Sequence, residues 1–196
     1  MDKWNQLASK EVIDRTMEAL KANGITAKLV ENGQEAKEEV LKLIPEGAEV
    51  MTMTSVTLDK VGILYDSVRN KLNSMNRETQ NLEMQKLGAA PEYAIGSVHA
   101  VTEDGHVLIA SNTGSQLPAY VYGSSHVIWV VGAQKIVKNT DEGIKRIYEH
   151  SLPLESERAK KAYGVPGSAV NKVLIINKEV QPGRIKLILV KEKLGF

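Results

Sequence analysis

The sequence predicts a three-layer α/β fold in which a mostly parallel sheet is joined late in the chain by antiparallel strands. Three observations predict it. Helical and strand patterns alternate along the first half of the chain, as in α/β proteins. The run Val127-Ile-Trp-Val-Val131 is apolar at every position, the mark of a central parallel strand buried on both faces. Asp104-Gly105 and Pro182-Gly183 each lie between two apolar runs, where antiparallel strands turn.

The elements follow in order. A first helix is expected from about Lys3 to Ala22, with Ile13, Met17 and Leu20 on one face and Asn23-Gly24 as its stop. Ile25 to Glu31 reads as a strand. Asn32 with Glu35 resembles a capping box for a second helix, whose buried side is Ala36, Val40 and Ile44 and which Pro45 ends. Ala48 to Met53 is a strand, and Thr57 is the expected cap of a third helix with Leu58, Val61 and Tyr65 inward and Asp59 in its first turn. Asp66 to Leu87 is polar and helical, with Val68, Leu72 and Met75 sharing a face. Its Asn76–Lys86 part reads either as a solvated helix or as a lid. Tyr93 to Glu103 and His106 to Ala110 read as strands of a hairpin. Thr140 to Glu149 and Leu152 to Tyr163 read as helices. Lys172 to Asn177 and Arg184 to Val190 read as an antiparallel pair.

Composition bounds the function. The 196 residues fit a single domain, with the N-terminal helix packed on it. The 25 basic and 24 acidic residues leave a net charge of +1, and no basic cluster exceeds two adjacent residues, which argues against nucleic-acid or membrane-surface binding. The polar N-terminus is no signal peptide, and no apolar run approaches a membrane span, so a cytoplasmic protein is expected. With no cysteine, the chain has no thiol nucleophile, disulfide or thiolate metal site of its own. His99, His106, His126 and His150 show no metal-ligand spacing, so no metal is expected. There is neither a Gly-x-Gly-x-x-Gly nor a Walker pattern, and no cofactor is implied.

Two loops carry the candidate site. Ala110-Ser-Asn-Thr-Gly-Ser-Gln-Leu117 follows an apolar strand and precedes a short helical pattern, Pro118 to Tyr122. Free backbone N–H groups and a helix dipole at such a junction favour an anion. Asn112, Thr113, Ser115 and Gln116 offer polar groups, and Gly114 permits close approach to the backbone. Thr52-Met-Thr-Ser-Val-Thr57 has the same layout, with Thr52, Thr54, Ser55 and Thr57 as donors. Capping and turn formation are the ordinary readings of both. At the carboxyl ends of neighbouring strands the two loops would flank one crevice, where open α/β sheets bind ligands. Lys135 follows the central strand, with Gly132 and Gln134, and is either a surface lysine or the counter-charge for an anion. Glu103 is a candidate base or nucleophile beside the crevice, or an exposed acid of a hairpin turn. His99 reads as a hydrogen-bonded core histidine. Arg69, Arg77 and Arg158 are each able to clamp a carboxylate, on residue type alone.

Thr54-Ser-Val-Thr-Leu-Asp-Lys-Val-Gly-Ile63, Gly96-Ser-Val-His-Ala-Val-Thr-Glu-Asp-Gly105, Val127-Ile-Trp-Val-Val-Gly-Ala-Gln-Lys-Ile-Val-Lys138 and the ending Ile188–Phe196 together resemble the lactate-utilisation (LUD) domain family, also called LutC/YkgG. The resemblance runs from about Glu38 to the C-terminus. It implies a Rossmann-like parallel sheet related to sugar-phosphate isomerases and CoA transferases. It further implies a link to the oxidation of L-lactate to pyruvate, alongside an iron–sulfur subunit and a cysteine-rich subunit. Ala162–Val170 departs from relatives that carry a cysteine cluster there, so no cluster function carries over. The Ser111–Gln116 loop is richer in polar side chains than in many relatives. Glu103-Asp-Gly105 resembles the Glu-Asn-Gly turn that bears the nucleophile of CoA transferases. Three expectations result: a domain binding a small anionic metabolite between the two loops; a non-catalytic accessory subunit of a lactate-oxidising complex with iron–sulfur partners; or an isomerase or CoA-transferase-like enzyme using Glu103. The sequence is compatible with a homo-oligomer and marks no interface.

Overall fold

The computed structural model describes residues 3–63 and 66–196, less the side chains of Leu72, Arg77, Glu78, Asn81 and Leu82. Tyr65, expected on the inner face of the third helix, the Leu72 side chain and the Arg77 guanidinium lie outside what is described.

The first helix is shorter than its polar pattern predicts. Lys3–Asn5 is an isolated 3₁₀ turn with Trp4 buried, and α1 spans Lys10–Ala22. Ser9 starts it by accepting a hydrogen bond from Val12 N at 3.4 Å, so the serine competes with helix upstream of itself. Strand β1 (Thr26–Val30) leads to α2 (Gly33–Leu43), where Asn32 Oδ1 accepts from Glu35 N at 3.0 Å. The Glu35 carboxylate accepts from Glu31 N rather than from Asn32 N, a shifted version of the expected box. Next come β2 (Val50–Thr52) and α3 (Val56–Val61). Ser55, not Thr57, caps α3, because Thr57 is drawn into the core. The polar stretch forms two helices, α4 (Ser67–Asn73) and α5 (Arg77–Ala89).

The expected Tyr93–Glu103 strand is broken. Its first part is β3 (Tyr93–Gly96) and its second β4 (Ala100–Thr102), and they belong to different sheets. β5 (Val107–Ser111) completes the hairpin with β4, and β6 (His126–Gly132) is the predicted central strand. A 3₁₀ turn at Ala133–Lys135 leads into β7 (Ile136–Val137). α6 (Thr140–Arg146), a π-helical turn and α7 (Leu152–Tyr163) follow, then β8 (Lys172–Ile176) and β9 (Ile185–Val190).

The main sheet has the order β1-β9-β6-β3-β2 and is parallel throughout. A second, mixed sheet has the order β7-β4-β5-β8. This corrects the expected β8–β9 antiparallel pair. β9 lies between β1 and β6, and β8 instead pairs antiparallel with β5. Burial accounts for the difference. Five of the six β9 residues are buried, as an interior strand requires, whereas Lys172, Val173 and Ile175 of β8 face solvent, as an edge strand allows.

Alternate residues of β6 enter separate cores. Val127, Trp129 and Val131 pack with Leu20 of α1 and with Ile109 of the mixed sheet, while Ile128 and Val130 pack with Ala36 and Val40 of α2 and Leu58 of α3. Helices therefore cover both faces of the parallel sheet, which gives the three-layer Rossmann-like arrangement. Among the described residues, no helix is long and apolar enough to cross a membrane.

The break after β3 positions the site. β3 and β6 run parallel in the main sheet, and β4 and β7, which continue them, run parallel in the mixed sheet. Two chain segments thus pass side by side from one sheet to the other. Ser97-Val98-His99 is the crossing of the first and Ala133-Gln134-Lys135 that of the second. Gly96 makes the bend feasible: a Cβ there would lie 1.7 Å from the Tyr120 hydroxyl oxygen.

Candidate functional site

The carboxyl ends of β2, β3 and β6 and the loop after β5 surround a cavity of about 600 Å³. Both predicted loops line it. Thr54, Ser55 and Thr57 come from one, and Asn112, Thr113, Ser115 and Gln116 from the other. Asn112, Thr113 and Ser115 are exposed at the rim, and Lys135 is buried on the inner side.

Five other candidates take different places. Glu103 lies outside the cavity lining and forms an ion pair with Arg15 of α1. Gly132 and Gln134 hold the C-terminal tail: Gln134 Nε2 donates to Leu194 O at 3.0 Å and Gly195 O at 3.3 Å, and Gly132 packs against the same segment. Gly114 has φ +88° and packs on the Lys172 side chain rather than on the cavity. Thr52, the last residue of β2, gives its N–H to Asp66 Oδ2 at 3.1 Å and its carbonyl to the Arg69 guanidinium at 3.2 Å. It braces Arg69, which does line the cavity.

The helix-dipole argument weakens in the structure. The segment after the glycine loop is one π-helical turn, Ala119–Gly123, and α3 has only six residues. Neither sums enough peptide dipoles to hold an anion alone. Much of the loop's polarity is also spent internally. Ser111 Oγ accepts from Gly114 N at 2.8 Å and donates to Gln116 Oε1 at 2.9 Å, and Gln116 Nε2 donates to Ala110 O at 3.3 Å. The polar groups left to the cavity are therefore mainly side chains.

Lys135 is the central one. Its side chain has 2% relative exposure, and Nζ lies 3.1 Å from Thr57 Oγ1, 3.1 Å from Ser97 Oγ and 3.0 Å from Val98 O. All three partners are neutral oxygens. Thr57 Oγ1 donates its own proton to Leu194 O at 3.1 Å, so toward Nζ it accepts. Burial holds the Lys135 ammonium well below the usual lysine range, and the Arg146 and Lys60 charges push the same way.

His99 fits the core-histidine reading and also lines the cavity. Nδ1 accepts from Ala110 N at 3.1 Å, and burial, then Lys135 and Arg146, lower its pKa to about 3. The ring is neutral at pH 7, with its proton on Nε2. Arg146 is fully buried and donates to His99 O at 2.6 Å and Ser151 Oγ at 3.2 Å. Arg158 also lines the cavity, in a double hydrogen bond to Glu155, both at 2.7 Å. Tyr120 sits edge-on to Trp129 with ring centroids 5.5 Å apart, and burial raises its hydroxyl pKa. Met84 of α5 forms part of the wall, and Met84 and Leu87 pack on the core. Among the described residues no group of three or more His, Asp or Glu is placed to hold a metal ion.

Sequence reasoning passed over Ser97. The only available signal was that Gly96-Ser-Val-His99 interrupts an otherwise apolar strand.

The fold and cavity define a class: an α/β domain with a polar-lined cavity at the carboxyl ends of parallel strands. The LUD domain family profile matches residues 13–190, and the chain belongs to that family. The structure is similar to the crystal structure of a DUF162 family protein from Deinococcus radiodurans, with a TM-score of 0.55 and 14% identity over 94% of this chain and 99% of that one. That likeness supports the fold. No curated protein matches the chain.

Proposed function

We propose that the chain binds a small anionic metabolite, a carboxylate or a phosphate, in the cavity between the Thr54–Thr57 and Asn112–Gln116 segments. The supporting observation is Lys135. A buried amine ringed by three neutral oxygens is held below its ordinary pKa, and a bound anion would restore its charge. Arg69, fixed by Asp66 and Thr52, adds positive charge to the wall. The hydroxyls of Thr54, Ser55, Thr113 and Ser115 supply donors around it. The resemblance to lactate-utilisation proteins directs the first ligands to L-lactate and pyruvate.

The test is a thermal-shift titration with L-lactate, pyruvate and inorganic phosphate, repeated by calorimetry in buffers of different ionisation enthalpy. A ligand at 100 times its Kd adds about 2.7 kcal/mol of stability. The reading expects such a shift accompanied by proton uptake, and Lys135→Ala to weaken binding by about 1–3 kcal/mol. A titration with no shift for any of these anions refutes it.

A second reading is an accessory subunit of a lactate-oxidising complex. It is favoured by the absence of cysteine, because this chain supplies no thiolate for an iron–sulfur cluster. It predicts co-purification with cysteine-rich partners. The enzyme reading built on Glu103 finds no support in the geometry, since that carboxylate pairs with Arg15 away from the cavity.

A further inference from the structure

We propose that Ser97 and Lys135 form a nucleophile–base pair that cleaves esters of small carboxylic acids in this cavity. The inference rests on reading the cavity as a ligand site, and it names a reaction whose product is the carboxylate that site would hold.

The hydrogen-bond pattern carries it. Ser97 Oγ lines the cavity 3.1 Å from Lys135 Nζ, within range for direct proton transfer. The Val98 carbonyl only accepts, and Thr57 Oγ1, having given its proton to Leu194 O, accepts as well. A neutral amine has two N–H groups and one lone pair. The two N–H groups satisfy Val98 and Thr57, and the lone pair is left for the Ser97 hydroxyl proton. The ammonium, with three N–H groups, would instead donate to all three oxygens, so the base role belongs to the neutral form, with Nζ 3.1 Å from Oγ. Serine–lysine pairs of this geometry serve as nucleophile and base on unrelated folds. The surrounding charges favour the neutral amine. Arg146 of α6 and Lys60 of α3 repel a proton on Nζ, and the neighbouring His99 ring is neutral. Asp59 is the cavity acid nearest in sequence to Thr57, and Glu155 is tied to Arg158.

The step balances without an added redox partner. Ser97 Oγ attacks the ester carbonyl carbon while its proton moves to Lys135 Nζ. The Oγ–C bond forms, the C–O bond to the leaving alcohol breaks, and that alcohol takes the proton from Nζ. Water then attacks the acyl carbon, giving a proton to Nζ. The Oγ–C bond breaks, Ser97 recovers its proton from Nζ, and the carboxylic acid leaves or ionises beside Lys135.

The experiment treats the whole chain with a fluorophosphonate and, separately, with p-nitrophenyl acetate. Intact-mass and peptide-mapping readouts follow the adduct. The proposal expects one adduct per chain on Ser97, none in Ser97→Ala, and labelling about 10²–10⁴-fold slower in Lys135→Met at neutral pH. Should Lys135→Met fail to fold, the wild-type rate against pH decides. A plateau reached well below pH 10 supports a lysine base of lowered pKa, and a rate rising with hydroxide through pH 10 overturns it. No Ser97 adduct in folded protein also overturns it. If the protein escapes labelling yet its melting temperature rises with pyruvate or phosphate, the pair is refuted and the binding reading stands. Ser97 labelled with no shift from those anions refutes the binding reading and leaves the pair.

Discussion

Replacing Lys135 by methionine is expected to flatten the pH dependence of stability between neutrality and about pH 10. The sign follows from the direction of the shift. Lys135 in the folded chain has a pKa well below 10.5, while in the unfolded chain it is an ordinary lysine. Between those two values the unfolded state binds a proton that the folded state does not. Stability therefore rises with pH across the window, by at most about 1.4 kcal/mol per pH unit from this one group. For a domain of this size that slope corresponds to roughly 2–4 °C in Tm for each kcal/mol. Lys135→Met removes the titrating amine and keeps an unbranched apolar stem in the same space. It also leaves Val98 O without its 3.0 Å donor, at a cost of about 1–3 kcal/mol that does not vary with pH. The two effects separate cleanly. Urea denaturation at half-unit steps from pH 7 to 10 should give a rising series for the wild type and a flatter, offset one for the variant. Parallel series with equal slopes would refute the argument, because the amine would then carry its charge in the folded state.

Three further outcomes follow. His99, lowered to about 3, makes stability fall as pH drops from 6.5 toward 3, by a few kcal/mol in total; His99→Asn should reduce the loss relative to wild type in urea melts over that range. Gly96→Ala places a Cβ 1.7 Å from Tyr120 Oη and should destabilise by about 1–3 kcal/mol, and adding Tyr120→Phe should recover part of it in a double-mutant cycle. Glu103→Gln removes a surface partner of Arg15, so it should change stability by less than about 1 kcal/mol and leave the anion-induced thermal shift in place; loss of that shift would return Glu103 to the site.

The parallel core was legible because its signal is local. Val127–Val131 is apolar at every position, and only a strand covered on both sides tolerates that. The late strands were not legible in the same way. Pro182-Gly183 reports a turn, but β8 and β9 are separated by enough chain to diverge into different sheets. What assigns them is burial on one or both faces, and a turn dipeptide carries no such information. The Tyr93–Glu103 segment failed for a related reason. β-propensity continues through Ser97-Val98-His99, while the close approach of Tyr120 that excludes a side chain at Gly96 comes from a residue distant in sequence. The two polar loops were found because hydroxyl and amide residues cluster there, and both line the cavity. Gly132, Gln134 and Glu103 lie outside the cavity lining, because adjacency along the chain to a candidate says nothing about which way a side chain faces.

Lys135 shows how topology buries a charged-type side chain that composition would leave at the surface. A lysine is rarely fully buried without a carboxylate, because desolvating the charge costs more than three neutral hydrogen bonds return. Placing it at a crossing between two sheets lowers that cost. Strand pairing stops on both sides of the break, so the Val98 carbonyl is left for Nζ, and the Ser97 hydroxyl beside it and the Thr57 hydroxyl of α3 complete the set. The same break turns Ser97 out of the strand and into the cavity beside it. A continuous β3–β4 strand would have satisfied the backbone in that region within the sheet. The break sets the Lys135 amine 3.1 Å from the Ser97 hydroxyl, and the urea series with and without Lys135 measures whether that amine is neutral there.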